Sequence, residues 1–300
     1  GWLTPMRQVG LAYAASLGLM VAGFKLQSQD RLYAAYLPAV GLVVLYLTTF
    51  VGHLYYHLWS AGVAVGLAGA ITMLGIWLGR RFEHSVYPLF AAVGVYATPL
   101  LVHSPGGTLM DLVIYYSAWS VLFCFCAVQE GRRLTYLAPL YLSLLGFDLA
   151  YRQAGVGVSD AQWVLAAVYQ LVQFLIFGFT TVVYSLVRRE PVNDVNAWPH
   201  GVALFIFYAI EYALLQRHLP EWVNYLALAS GGAVFLLYRV AQLMYPSDDS
   251  LKASAVLVSY YCSWVLVHAL FVGEIDHRWL PWAALCLPVA WIWLLPKLQD

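Results

Sequence analysis

The sequence predicts an all-α protein, a polytopic transmembrane helical bundle of eleven helices with its N-terminus outside and its C-terminus inside. Three observations carry that expectation. Of 300 residues, 62% are hydrophobic and only 10% charged, whereas about a quarter of a soluble domain is charged. The apolar residues gather in runs of roughly 17–25, the length that crosses a bilayer as a helix. The cations between the runs alternate from one side to the other. No run shows the period-two alternation of a membrane barrel strand, so helices must satisfy the backbone in lipid.

The runs follow in order. The first, 9–25, closes on Lys25, and the second, 32–57, follows Arg31 and ends in His53-Leu54-Tyr55-Tyr56-His57. The third, 60–79, carries Gly62, Gly66 and Ala70 at four-residue spacing, a face that would let another backbone approach. It stops at Arg80-Arg81, and the fourth, 85–103, ends at His103 before the tight turn Ser104-Pro105-Gly106-Gly107-Thr108. The fifth, 111–129, opens on Asp111, holds Cys124 and Cys126, and is followed by Arg132-Arg133. The sixth, 134–151, contains Asp148 one turn before Arg152, the spacing of an i,i+4 ion pair. The seventh, 161–187, lines up Gln170, Gln173, Thr181 and Tyr184 along one side, which should face the bundle. The polar stretch Arg188–Trp198 is the longest connection and the best candidate boundary. It would divide one continuous membrane domain into 1–190 and 191–300.

The eighth run, 197–216, carries Glu211 between Ile210 and Tyr212, with Tyr208 one turn earlier. The ninth, 222–244, has a small-residue stretch Ser230-Gly231-Gly232-Ala233 and an Arg239 placed to snorkel to the inner face. The tenth, 251–272, holds Cys262 and His268, with Glu274 just beyond it. The eleventh, 279–296, holds Cys286 and ends before Lys297. All four cysteines lie in apolar runs and are expected to be small packing residues.

Orientation comes from the positive-inside rule. Eleven of the 15 Lys and Arg residues fall in alternate connections or at the C-terminus, and only Arg7, Arg152, Arg217 and Arg278 on the other side. The first group marks the cytoplasm. The basic pairs at 80–81, 132–133 and 188–189 recur every second helix, and GRRFEHSVYPL (79–89) resembles GRRLTYLAPL (131–140). The 12 Trp and 22 Tyr are expected to collect at the two membrane–water interfaces.

A formal net charge of zero offers no basic field to nucleic acid. No phosphate-binding loop, nucleophile elbow, HExxH or dinucleotide fingerprint is present, so no motif specifies a reaction. What the topology does produce is an outer belt of titratable groups: His53, His57, His103, Asp111, Asp148, Glu211 and His268. Ionisable groups at membrane depth are costly and usually face a cavity or each other. Glu211 is the deepest and the best candidate for a proton-linked step or a cation contact. Asp148, Asp111, His268 and His103 are candidates to line the same cavity. His53 and His57 form an HxxxH pair, which on one helix face could chelate a metal or face a haem. The sequence supplies no evident third ligand.

Gly1-Trp2-Leu3, the stretch Val44-Leu45-Tyr46-Leu47-Thr48-Thr49-Phe50, and Gly94-Val95-Tyr96-Ala97-Thr98-Pro99-Leu100-Leu101 before a Gly-rich turn carry a likeness. Over about residues 1–150 the chain resembles the predicted bacterial membrane proteins grouped as domain of unknown function 2339. Members of that family are typically longer, which with the opening Gly suggests a piece of something larger. The resemblance implies a membrane location and no catalytic residue.

Three functions remain open on the sequence. The first is transport, or handling of lipid or envelope precursors, through a cavity open to the extracytoplasmic side of a bacterial inner membrane. The second is a structural or assembly subunit of a larger membrane complex. The third is an intramembrane metal or haem enzyme built on His53 and His57. No cofactor is expected under the first two. Membrane lipids, and under the second other membrane subunits, are the expected partners.

Overall fold

The computed structural model describes residues 4–102, 108–154, 162–190, 192, 194–244 and 251–272. Among these residues the chain is helical throughout, with no strand: α1 (Pro5–Leu26), α2 (Arg31–Leu54), α3 (Ala61–Phe82), α4 (Val86–Leu101), α5 (Leu109–Glu130), α6 (Leu134–Ala154), α7 (Gln162–Arg188), α8 (Asp194–His218), α9 (Val223–Met244) and α10 (Leu251–Val272). A 3-10 turn, Pro220–Trp222, leads into α9. Eight of the helices are long and apolar enough to cross a membrane, and the apolar stretches Val86–Leu101 and Ser254–Ala269 are shorter. The eleventh predicted run, 279–296, lies outside the described residues. The chain divides into two compact units, Gly1–Thr181 and Val182–Asp300, and the division falls inside α7.

In the first unit, bare glycine backbone sets the closest helix approaches. A Cβ added at Gly23 would stand 2.4 Å from Pro38 Cγ and 2.7 Å from the Ala34 carbonyl, and one at Gly41 would stand 2.8 Å from the Ser16 carbonyl. α1 and α2 therefore lie backbone to backbone, the arrangement that small residues permit in lipid, where close packing replaces the hydrophobic drive. Gly75 admits Ala91 of α4 and Leu42 of α2, and Gly94 lies directly under the ring of Tyr46. Around these contacts sit Leu42, Tyr46, Ala64, Ala68, Leu78 and Tyr87, all buried.

The small-residue face of α3 is not the one expected from Gly62, Gly66 and Ala70. Those three positions are exposed, and a Cβ added at Gly62 or Gly66 meets nothing within 4 Å. The buried stripe is Ala64, Ala68, Thr72, Gly75 and Gly79, with nearly the same spacing on another side of the helix. A repeat of small residues fixes the period, but the larger neighbours Leu78 and Ile71 choose which face turns inward.

The tyrosines also depart from expectation. Tyr87, Tyr96, Tyr116, Tyr136 and Tyr169 are fully buried in this unit rather than held at an interface. A buried hydroxyl needs a partner, and most of these find a backbone or serine oxygen. Tyr87 donates to the Ala35 carbonyl, Tyr116 donates to the Tyr96 carbonyl at 3.0 Å, and the Tyr96 hydroxyl lies 2.9 Å from Ser120 Oγ.

At the predicted cytoplasmic end the two similar basic segments meet. Arg80 Nε donates to Glu130 Oε1 at 3.0 Å, and Arg132 donates to the Gly79 carbonyl at 3.2 Å. α3 is closed by Glu83 and α5 by Gly131, both in the left-handed region. Cys126 and Cys124 are buried free thiols, in keeping with packing roles.

The second unit contains α8, α9 and α10 around Tyr208, Ala227, Val234, Val258, Tyr261 and Val265. Gly201 makes room for Leu257, whose Cδ1 would lie 2.4 Å from an added Cβ. The Ser230–Ala233 stretch is used through its backbone: Cys262 Sγ donates to the Gly231 carbonyl at 3.4 Å, while the faces of Gly231 and Gly232 themselves stay open.

Candidate functional site

α8 brings an inward face of Phe207, Tyr208, Glu211 and Leu214 into the second unit, the i,i+3,i+4 pattern of a helix stripe; all four are buried. Glu211 is 5% exposed although it lies two turns from the end of the helix. Its Oε1 has no hydrogen-bond partner among the described residues. A buried carboxyl with an open oxygen is a costly group for an apolar helix to carry.

One turn below Glu211, the Tyr208 hydroxyl lies 2.8 Å from His268 Nδ1 on α10. The His268 ring is packed on three sides. Tyr212 meets it edge-on at 4.6 Å between centroids, Trp264 lies nearly parallel at 5.6 Å, and Tyr208 is perpendicular at 5.6 Å. Such packing fixes the ring, and the Tyr208 hydroxyl, which can donate or accept, pairs with Nδ1 in either tautomer of His268. One further buried polar atom of this unit lacks a partner among the described residues, Asn224 Oδ1. The arrangement combines a carboxyl, an oriented imidazole and phenols, a set able to hold or pass a proton or contact a cation.

The other sequence-predicted residues have local duties. Asp148 accepts from Arg152 Nε at 2.7 Å. Asp111 is the third residue of a capping box: Thr108 N and Oγ1 both donate to its Oδ2 at 2.8 Å, and Asp111 N donates to Thr108 Oγ1 at 3.3 Å. That arrangement satisfies two otherwise open donors at the helix start. His103 lies outside the described residues.

The HxxxH geometry needs correction. α2 stops at Leu54, so His53 and His57 do not stack one turn apart on a helix face. Tyr55 N and Tyr56 N both donate to the Val51 carbonyl, Leu58 N donates to the Gly52 carbonyl, and His57 takes a left-handed backbone with φ 49. The cause is Trp59. Its ring folds onto bare Gly52, where a Cβ would come within 2.1 Å, and its indole N–H donates to the Thr49 carbonyl at 3.1 Å. His53 Nδ1 then lies 2.9 Å from the Trp59 carbonyl. Among the described residues no three His, Cys, Asp or Glu side chains assemble as a metal site.

Sequence reasoning missed two relationships. The pairing of Tyr208 with His268 spans 60 residues and leaves no local spacing to read. The amides of Gln170 and Gln173 do face inward as the seventh run predicted, yet each retains a buried Oε1 without a partner among the described residues.

No curated protein and no solved structure matches the chain. The family described as "Predicted membrane protein (DUF2339)" matches residues 1–299, well past the first 150 residues in which the likeness was legible. With its apolar helices, the chain belongs to that family of predicted membrane proteins.

Proposed function

We propose that the protein is a multi-pass protein of the bacterial inner membrane that transports, or handles, a lipid or envelope precursor through a cavity open to the extracytoplasmic side. The observation that carries this reading is Glu211, 5% exposed in an apolar span with one carboxylate oxygen unpartnered among the described residues. An open carboxyl oxygen with no ion pair at that depth costs more than an apolar replacement would, which favours a role beyond packing. His268, held by Tyr208, is the second group of the site. Bound lipid is the expected companion, and the reading requires no metal or haem.

The topology belongs to the same proposal: eleven spans, with Gly1 outside and Asp300 in the cytoplasm. A C-terminal reporter active only in the periplasm should stay silent, and a signal from it overturns the orientation. Function is tested by complementing a strain that lacks the protein. Glu211→Gln and Glu211→Ala should reach the membrane at wild-type levels and fail to restore the lost phenotype. Full restoration by both variants would reduce Glu211 to packing.

A further inference from the structure

Within the first unit, α7 keeps its backbone away from α5 and α6 while α5 and α6 lie close together. Side chains bridge the distance. Tyr169 stacks on Phe147 of α6 with centroids 3.6 Å apart, and its hydroxyl donates to the Ser143 carbonyl at 3.2 Å. Gln173 Nε2 donates to Ser117 Oγ of α5 at 3.0 Å. Gln170 and Gln173 are one turn apart on this face, 1% and 0% exposed, and the Oε1 atom of each has no partner among the described residues. Turning the Gln173 amide over does not remove the deficit, because Ser117 then serves the oxygen and leaves the amino group open.

At 1.5 Å per residue the two glutamines stand about 12 and 17 Å from the start of α7, near the middle of the membrane. Two unsatisfied amide oxygens there would each forfeit the desolvation penalty of a buried acceptor if nothing donated to them. The charged residues of α5, α6 and α7 are Asp111, Glu130, Asp148, Arg152 and Arg188, all within two turns of a helix end. No charge faces the centre, so an ammonium guest would lack a counter-ion and a neutral donor fits.

We infer that α5, α6 and α7 enclose a mid-membrane site for an uncharged hydroxyl donor, held by the side-chain oxygens of Gln170 and Gln173. The hydroxyl belongs either to water or to a sugar-like molecule, and the site is independent of Glu211.

Hydroxyl-radical footprinting by X-ray radiolysis, in ¹⁸O-labelled water on the full chain in lipid nanodiscs, tests it. Water filling the site is split to hydroxyl radical where it sits, so Tyr116 and Tyr169, whose rings are 6.2 Å apart, should be oxidised well above Tyr87. Tyr87 is equally buried and bonded to the Ala35 carbonyl of α2. The double variant Gln170→Leu, Gln173→Leu should lower both to the Tyr87 level. A fall in Tyr116 and Tyr169 labelling with glucose that exceeds the fall at Tyr55, 76% exposed and so a reference for radical scavenging in bulk, identifies a site that takes a sugar-type hydroxyl; a fall no greater than at Tyr55 identifies water. Wild-type labelling of Tyr116 and Tyr169 no higher than Tyr87 overturns the inference, whether or not the double variant folds. So does a double variant that labels like wild type.

Discussion

The Tyr208 hydroxyl and His268 Nδ1, 60 residues apart in sequence, lie 2.8 Å from each other and tie α8 to α10. Hydrogen bonds between membrane helices contribute about 0.6–2 kcal/mol. A double-mutant cycle with Tyr208→Phe and His268→Ala, measured by thermal unfolding in detergent, should return a coupling of about 1 kcal/mol. Strict additivity of the two changes would mean that the pair is not bonded in solution.

Gly94 lies beneath Tyr46, with the ring 2.3 Å from where a Cβ would be. That ring is pinned by its hydroxyl, 2.7 Å from Thr72 Oγ1 and donating to the Ala91 carbonyl at 3.2 Å, so it cannot swing aside cheaply. Gly94→Ala should therefore cost about 1–3 kcal/mol as an overpacked core does. Gly62→Ala, on the open face of α3, should be neutral or stabilise by up to about 1 kcal/mol through helix propensity. Equal thermal shifts for the two variants would contradict the assigned face of α3.

The capping box at the start of α5 predicts that Asp111 acts locally. Thr108→Ala should cost about 1 kcal/mol of stability and speed amide exchange in the first turn of α5. Asp111→Asn should do less, and both variants should complement the deletion strain. A loss of function with Asp111→Asn at unchanged stability would return Asp111 to the functional site.

Trp59 ends α2 by folding back on Gly52. Trp59→Ala should free the His53 ring from the position it now takes beside the Trp59 carbonyl and extend helical protection into Tyr55 and Tyr56, read by hydrogen exchange. Unchanged exchange there would place the cause of the helix end elsewhere.

Much of this fold was legible because lipid is a strict solvent. Apolar runs of the right length between Lys25, Arg31, Arg80 and Arg132 located the helices to within a few residues. The end of α2 escaped because it depends on a contact from Trp59, beyond the apolar run. The face of α3 escaped because Gly62, Gly66 and Ala70 form as regular a small stripe as Ala64, Ala68 and Thr72, and only neighbouring helices distinguish them. Aromatic abundance was legible but not its depth: a tyrosine whose hydroxyl reaches a carbonyl, as Tyr116 reaches Tyr96, is at home in the interior. At the site, Glu211 announced itself as a lone carboxylate in an apolar run, and Asp148 with Arg152 as an ion pair by spacing. His268 acquired its partner only through tertiary packing.

Thiol accessibility at position 211 decides whether Glu211 lines an outward-open cavity. In a background with Cys124, Cys126, Cys262 and Cys286 replaced by Ala, Glu211→Cys is exposed to a membrane-impermeant charged thiol reagent from each side in turn, beside Ala209→Cys on the exposed face of the same helix. A cavity open to the extracytoplasmic side and lined by Glu211 gives reaction at position 211 from that side alone and none at position 209. Reaction at 211 from neither side, or from the cytoplasmic side only, would contradict it.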